Sequence, residues 1–441
     1  MTYTNALNYV KSLERFGSKP GLSRIALLLE RMGNPQNSLK FVHVAGTNGK
    51  GSVCTMLSSI LEKAGYKTGL FISPYVVEFL ERIQINNAPI RRGDFVKAVE
   101  IIAPLTEELK NEGVIITEFE FITAVAFFCF NLEKCDIVVL ETGLGGRFDA
   151  TNAISRSLCS VVTSISLDHT DILGDTLEQI AFEKSGIFKE NGVAIIAPQP
   201  YPQAKAELIA RAEEKNCRIV LAENLKATQL STSLEKTVIS VEFADGKAAE
   251  INLALIGGFQ LENVRTTLAT VIALQSYYDC SIPFSAVKSG LESVRHPARL
   301  EVIRTSPLVL LDGAHNPGSI AALAEVLKGD MDTHEKICVF GMLRDKDADE
   351  CIRLLKGLFT TIITVPINNP RSFSEFELAQ KCREHFANVI PSSGIPSAFE
   401  TAYSLASQNN MSLVICGSLY LAAEIRPYIL KAVGKYKLSF K

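Results

Sequence analysis

No excess of charge of either sign marks this chain of 441 residues: 45 lysines and arginines face 48 aspartates and glutamates, a formal charge of −3. A surface for nucleic acid or an anionic membrane shows as a basic excess or cluster, so neither partner is expected. The ten cysteines (54, 129, 135, 159, 217, 280, 338, 351, 382 and 416) are scattered, without a C-x-x-C pair and mostly inside apolar runs. That excludes a disulfide frame and a zinc site and reads as small buried hydrophobes in a reducing compartment. The longest apolar run, residues 121–130, is about half a membrane span. Residues 1–12 are polar and lack the apolar core of a signal peptide. A cytoplasmic protein is expected. Repeats and low-complexity tracts are absent as well. With 47% hydrophobic and 21% charged residues the chain is globular, and its length calls for two or three domains.

What is present is concentrated first at residues 42–52, V-H-V-A-G-T-N-G-K-G-S. An apolar run over 41–45 stops at a loop from Gly46 to Gly51, and a helical pattern (Ser52, Val53, Met56, Leu57, Ile60, Leu61) begins at once. Strand, glycine-rich loop and helix in that order suit a phosphate. Gly and Asn tolerate the backbone that turns N–H groups inward, and the helix N-terminus and the Lys50 ammonium add positive charge. The common form G-x-x-x-x-G-K-[ST] is missed twice: Val44 stands at its first glycine and Gly51 directly after Lys50, which moves the hydroxyl to Ser52.

Helical periodicity covers 4–16 and 22–32, and after the loop apolar strands at 68–72, 136–140, 158–165 and 193–197 alternate with helices near 50–65, 93–110, 120–134 and 176–185. Such alternation implies a mostly parallel sheet covered on both faces. Residues 218–255 turn to short β-like pieces, including 237–243 and 250–255 around a Gly246 turn, and read as an antiparallel appendage. Helices follow at 257–278 and 284–293. Arg295-His296-Pro297-Ala298-Arg299 looks like a joint, beyond which strands at 308–312, 337–341, 361–366 and 413–417 form a second alternating series. The expectation is a P-loop parallel-sheet domain over 1–296 and a smaller Rossmann-like domain over 297–441.

Ligands of open α/β sheets sit beyond the carboxyl ends of the strands. Glu141 closes the strand at 136–140 as a metal-holding acid does in P-loop enzymes. The glycine-rich loop after it, Thr142 to Asn152, carries Arg147 and Asp149, and its cost in entropy is one that close approach to a ligand would justify. The strand at 158–165 ends in Ser166-Leu167-Asp168-His169, and the one near 70 ends in Ser73. His169 beside Glu141 and Ser52 would make an oxygen and imidazole set fit for a divalent metal. His43 reads as a packed core residue, and His334 and His385 as solvated ones. Lys184, at a helix C-terminus, is by composition only a lysine favoured by the dipole. In the second series Asp312-Gly313-Ala314-His315-Asn316-Pro317, Gly341 to Asp347 and Gly417-Ser418-Leu419-Tyr420 end three strands. Both series thus point strand ends at what could be one cleft.

A-G-T-N-G-K-G-S at 45–52, T-E-F-E at 117–120, E-T-G-L-G-G-R-F-D-A-T-N at 141–152, D-H-T-D-I-L-G at 168–174, E-K-S-G-I at 183–187, D-G-A-H-N-P at 312–317 and G-S-L-Y at 417–420 together resemble the folylpolyglutamate synthase and dihydrofolate synthase family of the ATP-dependent Mur ligases. The resemblance spans nearly the whole chain, and the late hydroxyl is that superfamily's own form. It implies an ATP-dependent amide ligase. ATP would phosphorylate the γ-carboxylate of a folate's terminal glutamate, or the carboxylate of dihydropteroate, and L-glutamate would displace phosphate from the acyl phosphate.

The resemblance further implies that Asn48, Gly49, Lys50 and Gly51 cradle the triphosphate and that Ser52, Ser73, Glu141 and His169 hold magnesium, as two ions. It implies that Lys184 is carried as a carbamate and that Asn263, Arg299 and Asp312 contact ATP. Gly21, Leu22, Thr117, Phe119, Phe148, Asp149 and Ala150 would meet the pterin, and His315 and Ser418 would lie near the glutamate or the γ-phosphate. Lys50, Glu141, His169, Lys184 and His315 would carry the chemistry, in a monomer. Where the family has Ser-Pro-His this chain has Ser73-Pro74-Tyr75, and where His-Gln is common it has Phe259-Gln260. A Mur-type ligase of another carboxylate and a non-ligase P-loop switch remain the alternatives.

Overall fold

The computed structural model describes residues 1–14, 21–242, 248–329, 335–432 and 434. The Gly246 turn, His334, Phe16 and Phe243 lie outside the described residues. A first sheet is built from β1 (Phe41–Ala45), β2 (Thr68–Phe71), β3 (Ile83–Ile85), β4 (Ala88–Pro89), β5 (Ile137–Glu141), β6 (Cys159–Val162), β7 (Val193–Ile196) and β8 (Arg218–Leu221), in the order β4-β3-β2-β5-β1-β6-β7-β8. Every pairing from β2 to β8 is parallel, and β3 and β4 add an antiparallel hairpin at one edge.

Alternate residues of the buried strand β1 feed two cores. Phe41 joins Phe71, Val138 and Leu140 under the helices Arg92–Asn111 and Glu118–Leu132. Val42 and Val44 join Leu70 and Val139 under the loop helix Lys50–Lys63 and the helices Gln260–Tyr278 and Phe284–Ser293. A strand buried on both faces must read as a continuous apolar run, and β1 does. His43 is fully buried with its Nε2 2.9 Å from Thr151 Oγ1, the packed core residue that was expected.

The antiparallel appendage is β9 (Ala227–Thr232), β10 (Thr237–Glu242) and β11 (Ala248–Leu253). Ile239, Val241, Ile251 and Leu253 turn inward to the core shared with helices Gln260–Tyr278 and Phe284–Ser293, β9 meeting the first and β11 the second. The expected start at 218 is corrected: Arg218–Leu221 pairs in parallel with β7 and belongs to the main sheet.

The second sheet contains β12 (Glu301–Thr305), β13 (Leu308–Leu311), β14 (Lys336–Phe340), β15 (Thr361–Thr364), β16 (Asn388–Pro391) and β17 (Ser412–Cys416), in the order β12-β13-β17-β14-β15-β16, parallel except for β12 against β13. Val309, Leu311, Val339 and Ile415 face one core, and Leu310, Phe340, Val414 and Cys416 the other. All ten cysteines are free and eight are buried. Among the described residues no helix is long and apolar enough to cross a membrane.

The topology decides where the strand ends meet. β2, β5, β1 and β6 are consecutive neighbours, so the loops after them share one edge, and β13, β17 and β14 do the same in the second sheet. One strand is shorter than expected for a reason that matters to the site. β6 stops at Val162 because the next carbonyls leave the ladder: Ser164 O accepts from the amides of Thr47 at 2.9 Å and Asn48 at 3.3 Å.

Candidate active site

The loop between β1 and its helix is shaped by what presses on it. Gly49 has φ +89, and a Cβ there would collide with the Asn263 side-chain oxygen. A Cβ on Gly51 would lie 2.6 Å from Cε1 of His296, whose Nδ1 is 3.5 Å from Ser52 Oγ. The Gly-Lys-Gly sequence therefore has a packing reason: helix Gln260–Tyr278 and the joint at 295–299 both close on the loop. Lys50 Nζ donates to the carbonyls of Gly46 at 2.8 Å and Thr47 at 3.1 Å, and Lys184 Nζ donates to the same Gly46 carbonyl at 2.9 Å.

A cavity of about 770 Å³ opens over this loop, between the two sheets. Asn48, Gly49, Lys50, Gly51 and Ser52 form its floor. Ser73, Glu141, His169 and Lys184 line it from the first sheet, Asn263 from the long helix, and Arg299, Asp312, His315 and Ser418 from the joint and second sheet. The remaining expected residues are not among those that line the cavity. Thr117 caps helix Glu118–Leu132 in a capping box with Glu120, and Phe119 packs against Phe71 with ring centroids 5.9 Å apart. Asp149 is spent inside its own loop, accepting from the amides of Gly143, Leu144 and Thr151. Ala150 is buried, Phe148 is exposed under the Arg147 guanidinium, and Gly21 and Leu22 lead into helix Ser23–Arg31, which packs on residues 150–153.

Glu141 is the last residue of β5 and accepts the Ser73 amide at 3.1 Å. Burial raises its pKa and Lys50 opposes the rise, while burial lowers that of Lys50. Burial, reinforced by Lys50, pushes Lys184 down to about 7. Burial holds His315 at about 4; its Nδ1 lies 2.8 Å from Gly313 O, the tautomer that keeps Nε2 as an acceptor. Asp312 accepts the amides of Leu300 and Ala314, both at 2.7 Å, and so ties the backbone just after Arg299 to the turn that follows β13.

One residue that sequence reasoning did not single out, Lys346, and two it left inside motifs, Asp168 and Asn316, join the sheets. Lys346, after β14, donates to Asp168 Oδ1 at 2.6 Å and lies 3.1 Å from His169 Nε2. Asn316 caps helix Pro317–Lys328 with its oxygen and donates its amide hydrogens to Asp168 Oδ2 at 3.0 Å and Asn48 Oδ1 at 3.2 Å. Burial alone would raise the Asp168 carboxyl, but Lys346, His169 and His315 outweigh it and hold it well below the usual carboxylate range. Burial and then Lys346 push His169 down to about 4, so its imidazole is neutral. Position at a strand end was the only available signal for Lys346.

The comparisons with known proteins agree on one family. The Mur ligase middle domain matches residues 95–271, and the Mur ligase, glutamate ligase domain matches residues 298–419. The dihydrofolate synthase/folylpolyglutamate synthase of Bacillus subtilis is 35% identical over 436 residues, covering 96% of this chain and 98% of its own length. The folylpolyglutamate synthase of Lacticaseibacillus casei is 31% identical over 438 residues, covering 98% and 99%. Among solved structures, Mycobacterium tuberculosis folylpolyglutamate synthase complexed with ADP superposes with a TM-score of 0.89 at 30% identity, covering 97% of this chain and 98% of its own. E. coli FolC in complex with DHPP and ADP gives 0.85 at 29% identity, covering 98% and 99%.

Asn316→Asp keeps a good helix cap but replaces the amide donor with a carboxylate facing Asp168 and Asn48. The expected outcome is a closure weaker by about 1–3 kcal/mol, seen as a larger radius of gyration in solution scattering with helix content unchanged. Gly51→Ala should cost about 1–3 kcal/mol by crowding His296, and adding His296→Ala should recover most of that loss in thermal melts.

Proposed function

The chain belongs to the folylpolyglutamate synthase and dihydrofolate synthase family of Mur ligases, and from that membership we infer that it is an ATP-dependent ligase joining L-glutamate to the carboxylate of a folate. The observation that carries this reading is the meeting, in one cavity, of the phosphate loop after β1 with polar strand ends of the second sheet. Amide ligation through a phosphorylated carboxylate needs such a meeting, because a nucleotide, an acceptor and an amine must be held in line. The carboxylate oxygen attacks the γ-phosphorus and ADP leaves. The amine nitrogen then attacks the acyl carbon, phosphate departs with the former carboxylate oxygen, and the amine loses a proton.

In our reading the loop amides of Asn48 to Gly51 receive the triphosphate, and Lys50 exchanges the Gly46 and Thr47 carbonyls for phosphate oxygens. Asn263, Arg299 and Asp312 would serve the nucleotide from the helix and the joint, Arg299 by its charge and Asp312 by setting the backbone beside it. Ser52, Ser73 and Glu141 offer two hydroxyls and a carboxylate at one end of the cavity, a hard-oxygen donor set that fits magnesium. Such an ion would neutralise charge developing on the transferred phosphoryl group. His169 could join this set only when Lys346 moves away from its Nε2. His315 and Ser418 would face the incoming glutamate, the neutral imidazole offering an acceptor to the amine. The pterin would lie along Gly21, Leu22, Thr117, Phe119, Phe148, Asp149 and Ala150, beside the cavity. We propose dihydropteroate as a second acceptor, a reading supported by the double name of the Bacillus relative.

Lys184 is proposed to be carried as a carbamate. Carbon dioxide adds to a neutral amine, and with a pKa near 7 that form grows as pH rises through neutrality, where an ordinary lysine stays protonated. In this state the side chain would become an anion facing the phosphate loop. Isotopically labelled bicarbonate should give a carbamate resonance that strengthens between about pH 6 and 8 and is absent in Lys184→Met; its absence from the wild type would remove the proposal.

Lys50→Ala and Glu141→Ala should each lower glutamate-dependent ADP release by roughly a hundredfold or more, with tetrahydrofolate or dihydropteroate as acceptor and with the melting temperature retained. Normal turnover in either variant would contradict the roles assigned to these two side chains.

A further inference from the structure

Arg82 ends the turn Phe79–Arg82, just before β3, and lines the cavity beside Ser73, Pro74 and Tyr420. Its side chain is 12% exposed. The guanidinium lies over the rings of Tyr75 and Phe79, 5.4 and 5.3 Å from their centroids. The carboxylate opposite, Glu118, comes no nearer than 3.9 Å, beyond hydrogen-bond reach. Arg82 Nε is buried without a hydrogen-bond partner.

Other part-buried arginines keep a close acceptor, even Arg265, whose Nε is also unmatched but whose Nη atoms donate to Glu262 at 2.9 Å and to the Ala227 carbonyl at 2.6 Å. Arg24 Nε lies 3.0 and 3.2 Å from the two oxygens of Glu120, and Arg426 donates to Glu301 from Nε at 3.1 and 3.0 Å and from Nη2 at 2.7 Å. Those pairs are structural. A guanidinium never gives up its charge, and its planar fork matches a carboxylate bidentately. Leaving such a cation out of water with its Nε unmatched is unfavourable unless a bound anion completes it. The ring stacking holds the fork in one orientation before that anion arrives.

The phosphates already have Lys50 and the loop amides. The other two reactants each carry a carboxylate that does not react, the α-carboxylate of a glutamyl unit, and each must be oriented so that its reacting atom reaches the phosphoryl group. Arg82 lines the same cavity as Ser73 of the first sheet and Tyr420 of the second, which a glutamyl unit would span. We propose that Arg82 is the carboxylate clamp of the cleft, binding the α-carboxylate of a glutamyl unit and thereby positioning it against the activated acyl group. The proposal rests on the ligase reading above. The glutamyl unit is either the acceptor's terminal residue or the incoming L-glutamate, and kinetics separate the two.

Steady-state turnover of wild type, Arg82→Gln and Arg82→Lys is measured with tetrahydrofolate and L-glutamate varied in turn, alongside thermal melts. Loss of a bidentate charged contact should raise one KM by roughly tenfold or more in Arg82→Gln, with partial recovery in Arg82→Lys and kcat affected less. A rise confined to L-glutamate assigns the clamp to the incoming amino acid, and a rise confined to tetrahydrofolate assigns it to the acceptor. Both KM values within about twofold of wild type, with or without a fall in melting temperature, would overturn the clamp. If Arg82→Gln has no melting transition, Arg82→Lys is read in its place, since it keeps the charge and loses only the fork. A wild type that releases no ADP with folate and glutamate would instead sink the ligase reading itself.

Discussion

A carboxylate taken out of water between two sheets has to be matched on every side, and Asp168 is so matched. Lys346 and Asn316 reach it from the second sheet, and its own neighbour His169 donates a backbone amide at 2.9 Å. The Asp168 and Lys346 side chains are 9% and 7% exposed, so breaking either partner would leave a buried charge alone, which costs about 3–5 kcal/mol. The closed cleft depends on this match. It brings Asn316 onto Asn48 of the phosphate loop, and with it the whole of the loop after β13. The same contact holds Lys346 against His169, so a cation that used the imidazole would compete with an ammonium already there. On the proposed reading of His169 as a metal ligand, closure and metal binding are linked through one histidine.

The second constraint is crowding. The phosphate loop is hemmed in by Asn263 and His296, residues far along the chain that pack where side chains at Gly49 and Gly51 would be. Loop, long helix and joint are consequently packed against one another. The joint carries two strained residues, Ala298 at φ +54 and Leu300 at φ +46, flanking Arg299. Left-handed backbone at non-glycine residues costs on the order of 1–3 kcal/mol each. The Asp312 carboxylate, accepting from Leu300 N, is part of what offsets that cost and keeps Arg299 facing the cavity.

Most of the architecture was legible because buried parallel strands are written as apolar runs and their ends as glycine, acid and hydroxyl. The phosphate loop, Glu141, His169, Asp312 and Ser418, which line the cavity, stand out in the sequence that way. What stayed hidden were edge elements and distant pairs. β12 and β16 are half-exposed and carry no continuous apolar run, and β8 was merged with the appendage that follows it. Asp168 and Lys346 are 178 positions apart, and nothing in either segment announces the other. The packing reason for Gly51 was equally invisible, since His296 meets it only after the fold has formed. Nor did the sequence show that the Asp149 carboxylate organises its own glycine-rich loop. Arg82 lay in a stretch with no glycine, acid cluster or histidine to draw attention to it.

The central claim is that this cleft activates a folate carboxylate as an acyl phosphate before the amine of glutamate arrives. Heavy-oxygen label placed in the γ-carboxylate of tetrahydrofolate's glutamate tests it directly. The account requires that the phosphate released during glutamate addition carry one labelled oxygen for each amide bond formed. Unlabelled phosphate accompanying amide formation would contradict it, because the carboxylate oxygen would then never have been bonded to phosphorus.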